Sequence, residues 1–130
     1  MNYQEGLLIA GRSFPGARVC FSRPNGAMMD VAQRHSVYQA ALQRCGHQLR
    51  GTRTIELRWR TGPYNYEEIV GETWPHQEHL TPVELGRQIF SDWRKSPHDW
   101  RIASRTSKYF GCGIAKSEAG VWYATIIIAN

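Results

Sequence analysis

Residues 121–129 constrain this chain more than any other stretch. Val121, Tyr123, Thr125 and Ile127 alternate with Trp122, Ala124, Ile126 and Ile128, and both sets are largely apolar. Alternate side chains of a strand point to opposite faces, so a strand apolar on both must be covered on both. An isolated hairpin cannot do this. The segment therefore predicts an α+β domain in layers, a three-layer α-β-α sandwich closed by a C-terminal β-hairpin. Residues 108–115 read as the partner strand and residues 117–120 as the turn between. Gly111 and Gly113 leave a flat patch on that partner, where a helix or a ligand can approach closely.

The helices are marked by period and by caps. Met28, Val31 or Ala32, His35, Tyr38, Ala41 or Leu42, and Cys45 recur at three-to-four spacing, which predicts a helix over 28–45. Asn25 suits its N-cap and Gly46 the position just past its end. His35 lies on the apolar stripe and reads as a core residue with a satisfied ring. Thr52–Arg60 predicts a shorter helix, residues 61–65 a turn, residues 67–74 an extended segment containing Glu72, and residues 75–80 a polar loop.

Thr81-Pro82-Val83-Glu84 combines a capping threonine, a proline for the first helical position and a glutamate that completes a capping box. Ser96-Pro97 repeats the device, with His98, Asp99 and Trp100 following. Asp99, at the third position of that helical turn, has a capping role available to it without any other function. Residues 1–25 are broken by Gly6, Gly11, Pro15, Gly16 and Pro24, and are expected to form an irregular arm on a domain made by residues 26–130.

A chain of 130 residues is enough for one domain with a real core, not two. Its net charge of +5 comes from scattered arginines rather than a dense run, and no nucleic-acid-binding motif accompanies it. The three cysteines, Cys20, Cys45 and Cys112, form no CxxC pair, which removes the spacings of structural zinc sites and thioredoxin-like motifs. Cys45 and Cys112 sit in apolar patterns and read as buried thiols. No apolar run reaches the ~18 residues a membrane span needs. Leu7-Leu8-Ile9-Ala10 is too short for the h-region of an export signal.

Five blocks, in order, resemble the bacterial members of the CAP superfamily, which groups cysteine-rich secretory proteins, antigen 5 and pathogenesis-related 1. Ala32-Gln33-Arg34-His35-Ser36 is similar to that family's "AQxHS" helix, and Gly46-His47 to the "GH" after it. Gly71-Glu72-Thr73 resembles its "GEN" motif. Residues 93–100 resemble its Trp…Ser-Pro-Gly-His block. Gly111-Cys112-Gly113-Ile114-Ala115 with Val121-Trp122-Tyr123-Ala124 resembles its closing hairpin.

The resemblance implies a central cleft lined by two histidines and one or two glutamates. By motif, His47 and Glu72 hold the first histidine and the "GEN" glutamate. The second histidine's place holds Asp99, with His98 one residue earlier. Pro97 and Trp100 anchor the register, which favours Asp99 over His98 as the residue facing the cleft. The cleft set is thus His47, Glu72, His98, Asp99 and Trp100.

Zinc held by His47, Glu72 and Asp99 or His98 is a candidate, although one histidine with two carboxylates is a harder, weaker zinc set than two histidines. No cofactor is required by the resemblance. It implies a non-enzymatic binding or effector module whose cleft takes a small molecule, lipid, glycan or protein. Two alternatives remain. One is a cleft hydrolase of peptidase or esterase type, with a water activated by His47, Glu72 and His98 or Asp99. The other is a structural domain in which these polar groups satisfy one another. Family members are usually exported.

Overall fold

The computed structural model describes residues 1–46 and 52–130. The chain runs α1 (Tyr3–Ser13), a 3-10 turn (Val19–Phe21), β1 (Arg23–Pro24), α2 (Gly26–Leu42), α3 (Thr52–Arg60), β2 (Tyr66–Glu72), α4 (Pro82–Arg94), α5 (Pro97–Ala103), β3 (Tyr109–Lys116) and β4 (Trp122–Ala129). The fold class is α+β, as the sequence predicts. One mixed sheet has the order β1-β3-β4-β2. β4 pairs antiparallel with both β3 and β2, while β1 adds two parallel pairs, Arg23 with Tyr109 and Pro24 with Phe110.

β4 is buried from end to end, and its alternation sorts the core. Ala124, Ile126 and Ile128 join Ile69, Phe110, Cys112 and Ile114 against α1, α4 and α5, with Leu7, Leu85, Ile89, Phe90 and Trp93 filling that side. Ile127 and Ala129 face the other way, onto Met28, Val31 and Ala32 of α2 and Leu57 of α3.

α2 lies on β3 with almost nothing between them. A Cβ on Gly111 would stand 2.2 Å from the carbonyl carbon of Met28, and one on Gly113 2.4 Å from Cα of Gln33. The flat patch is therefore filled by a helix. The same closeness closes the sheet, because β1 covers only the first two residues of β3's outer edge. Farther along, Gln33 donates through Nε2 to the Ile114 carbonyl (2.9 Å) and accepts through Oε1 from the Ile114 N–H (2.8 Å). Gln4 of α1 donates to the Cys112 carbonyl (2.9 Å), and the Cys112 N–H points at Met29 Sδ (3.2 Å). Side chains thus take over the ladder a further strand would have provided, and the edge is not left open for another chain.

Two expectations are corrected. Residues 3–13 are not part of an irregular arm; they form α1, capped by Asn2, whose side chain accepts from the Glu5 N–H. The glycines read as breakers are its contact points. A Cβ on Gly6 would meet Pro82 of α4 at 2.4 Å, and one on Gly11 would meet Cys20 Sγ at 2.4 Å. Helix α2 does start at the Asn25 cap, but ends at Leu42 rather than Cys45. Gln43 takes the left-handed turn there (φ 53°), and Gly46 is not the terminating residue. The Thr81–Glu84 capping box forms as expected at the start of α4.

Replacing Gly113 by alanine forces α2 off the sheet, since the obstructing atoms are backbone and cannot rotate away. A loss of about 3 kcal/mol is expected in urea unfolding, the upper part of the range for overpacked cores. Gly26→Ala, whose Cβ meets nothing within 4 Å, is the control. Equal midpoints for the two variants would contradict this packing.

Candidate functional site

A buried polar chain at the C-terminal end of α2 sets the geometry. His35 sits on the buried face as predicted, with Nε2 2.9 Å from the Gly46 carbonyl oxygen. A carbonyl only accepts, so Nε2 carries the proton. The Gly46 N–H donates to Gln39 Oε1 (3.0 Å), and Gln39 Nε2 donates to Thr125 Oγ1 on β4 (3.1 Å). Ser36 Oγ bonds the same Thr125 hydroxyl at 2.9 Å. His35, Ser36, Gln39 and Thr125 are all buried. Both polar groups of Gly46 are thereby fastened to α2, which fixes where the chain leaves the helix.

Cys45, one residue earlier, is half-buried at this point. Its thiol is pushed up to about 12, first by burial and then by the carboxylates of Glu72, Asp99 and Glu68. The Tyr123 hydroxyl is also pushed up, by burial and then by Glu72 and Cys45. Residues from α2's end, β2, β4 and α5 therefore share one electrostatic neighbourhood. Glu68 and Glu72 reach it because they alternate with Ile69, which faces the opposite layer. Glu68 is buried there, while Glu72 is exposed.

The Gly71-Glu72-Thr73 triplet divides its work. A Cβ on Gly71 would crowd the Trp93 indole at 2.9 Å, and that indole donates to the Val70 carbonyl (3.0 Å). Thr73 donates its N–H to the Trp122 carbonyl (3.0 Å) and accepts from the Trp122 N–H (3.2 Å). Glu72 is left at the rim. A cavity of about 320 Å³ opens beside it, lined by Glu72, Thr73, Trp74 and Asp92, with Trp74 78% exposed.

Of the residues expected in the cleft, the Glu72 and Asp99 carboxylates both raise the Cys45 thiol. Asp99 is half-buried at the third position of α5, where its N–H donates to Ser96 Oγ (3.4 Å), and His98 is exposed. His47 lies outside the described residues. Trp100 is a correction: one residue past Asp99 turns it about 100° around the helix. Its ring packs edge-on to Phe14 (6.1 Å) and under Arg94 (5.7 Å), on the α1 side. Among the described residues, no three His, Cys, Asp or Glu side chains are arranged to hold a metal ion.

Sequence reasoning missed the surroundings of Cys45 and missed Glu68. Cys45 was read as an ordinary buried thiol, and that description fits Cys20 and Cys112, both fully buried. The available signals were a thiol next to Gly46-His47, and Glu68, which at four residues before Glu72 shares its face of the strand.

No family model and no curated protein sequence matches this chain. Among solved structures, the chain is similar to an outer surface protein from Borrelia burgdorferi. The TM-score is 0.72 at 13% identity, covering 100% of this chain and 96% of that one. At such identity the likeness is one of fold.

Thr125→Val keeps the shape of the side chain but leaves Ser36 and Gln39 without their shared partner. A loss of about 1–3 kcal/mol in thermal or urea unfolding is expected; an unchanged midpoint would remove the network from the fold's support. Alkylation by iodoacetamide should modify Cys45 alone among the three thiols. Its rate should keep climbing with pH beyond 9 instead of levelling, because the folded thiol holds its proton toward pH 12. Glu72→Gln or Asp99→Asn should speed the reaction at fixed pH by roughly two- to fivefold, since each removes a charge opposing the thiolate. A plateau near pH 9 would contradict the placement.

Proposed function

We propose that this chain is a CAP-like binding module rather than an enzyme, taking its ligand at the cavity lined by Glu72, Thr73, Trp74 and Asp92. The observation that carries this reading is a cavity of about 320 Å³ where the exposed Glu72 carboxylate and the exposed Trp74 indole stand with Thr73 and Asp92. That volume lies within the roughly 300–1,000 Å³ of small-molecule sites. Carboxylates with an exposed indole favour a ligand that presents hydrogen-bond donors or positive charge, such as an amine, a basic peptide side chain or a glycan.

The chemistry of the groups supports binding over turnover. A thiol pushed up to about 12 is a poor nucleophile at neutral pH. The hydroxyls of Ser36, Ser96 and Ser117 are engaged with Thr125, the Asp99 N–H and the Val121 N–H. The similar solved structure is named as an outer surface protein. The resembled family is mostly exported, and together these favour a site of action at or beyond the cell envelope.

Thermal-shift titration with amines, basic dipeptides, oligosaccharides, sterols and divalent metals tests the reading. A ligand at about a hundred times its Kd stabilises by roughly 2.7 kcal/mol and should raise the midpoint clearly. Glu72→Gln and Trp74→Ala should abolish that rise. The reading fails if no compound shifts the midpoint, or if the shift persists in both variants. Peptidase or esterase turnover lost in Glu72→Gln would favour a hydrolase instead.

A further inference from the structure

Residues 26–60 contain six arginines against two carboxylates, so four of the chain's five net positive charges fall in about a quarter of its length. Within it, α2 and α3 are held side by side by an ion-pair seam. Arg34 bonds Glu56 and lies 3.2 Å from Asp30, while Arg60 reaches Asp30 at 2.8 Å and Glu56 at 2.9 Å. Both carboxylates of these helices are thereby taken up in the seam.

Apolar side chains flank the seam and face outward. On α3, Leu57 is the core anchor, and the helical period puts Ile55 and Trp59 on the side opposite to it. They are 56% and 87% exposed. On α2, Tyr38 and Leu42 continue the i, i+4 row begun by Arg34 and are exposed as well. Arg58 of α3 and Arg44, two residues past the end of α2, are also exposed.

We propose that the outward face of the α2–α3 pair docks on an anionic lipid bilayer. Trp59 and Ile55 would enter the headgroup boundary, with Tyr38 and Leu42 following and the arginines meeting lipid phosphates. Charge decides between occupants. Two copies of this face would bring like charges together, so self-association is disfavoured. The aliphatic Leu42 and Ile55 suit the acyl boundary, whereas a nucleic acid would use the arginines and leave those side chains against a charged backbone.

The test is co-sedimentation of the full chain with vesicles of phosphatidylcholine, alone and with a third of the lipid replaced by phosphatidylglycerol. Binding is expected only to the anionic vesicles, weakening as salt rises, with a blue shift in tryptophan emission. The double variant Ile55→Ser, Trp59→Ala should bind about tenfold more weakly, as loss of two partly inserted side chains implies. Its thermal midpoint should remain wild-type, because both residues are exposed. Arg58→Glu should weaken binding, and Glu72→Gln should leave it unchanged, which separates this face from the cleft. The proposal is overturned by absence of binding at low salt, by equal binding to pure phosphatidylcholine, or by a double variant that binds like wild type. Duplex DNA binding, or a dimer, abolished by the same double variant would overturn it too.

Discussion

The structure depends on a backbone-to-backbone contact between α2 and β3. Gly111 and Gly113 remove the side chains that would hold a helix at the usual distance from a sheet, and Met28 and Gln33 occupy the vacated space. From there Gln33 reaches the Ile114 peptide and completes the edge of β3. One turn farther along, Ser36 and Gln39 reach Thr125 on the neighbouring strand. The same turn brings His35 and Gln39 to Gly46 and so fixes the chain beside Cys45, whose thiol is raised by burial and then by the Glu72, Asp99 and Glu68 carboxylates. A shift of α2 by the width of one methyl group would disturb the sheet edge, the polar chain and the site together.

What was legible in the sequence was whatever a local rule determines. The two apolar sets of β4 required cover on both faces, and both are covered. The Thr81 box, the Asn25 cap and the Ser96 cap depend on neighbours within a turn and were readable for that reason. Helix α1 was not, because a glycine that breaks a helix and one that lets two helices touch are the same letter. At Gly6, contact with Pro82 wins over backbone entropy. The far side of α5 was missed for another reason: the Ser96 cap fixes Asp99, and a single step around the helix sends Trp100 into the opposite layer. The surroundings of Cys45 combine residues from four separate elements, and no spacing rule reaches that far.

The helix that carries the strongest motif resemblance consists of residues with definite duties in the fold. Ala32 lies beneath Gly113, Gln33 serves as a surrogate strand, His35 and Gln39 hold Gly46, and Ser36 ties α2 to β4. A match over this helix therefore speaks to architecture before chemistry. In the Gly71 triplet the outer two residues are structural and the middle one is presented at the rim.

The attachment of α3 differs in kind from that of the other helices. Leu57 is fully buried, and the Tyr66 hydroxyl, which donates to the Gly62 carbonyl at 2.6 Å, lies 3.2 Å from the Leu57 carbonyl. The solvent-facing seam adds to that hold, and exposed pairs of that sort contribute about 0–1 kcal/mol each and are screened by salt. An attachment of this kind should let α3 open before the sheet does in hydrogen exchange. Ionic strength then acts as a setting on how often that helix leaves the body of the protein, with the β-sheet core insulated from the change.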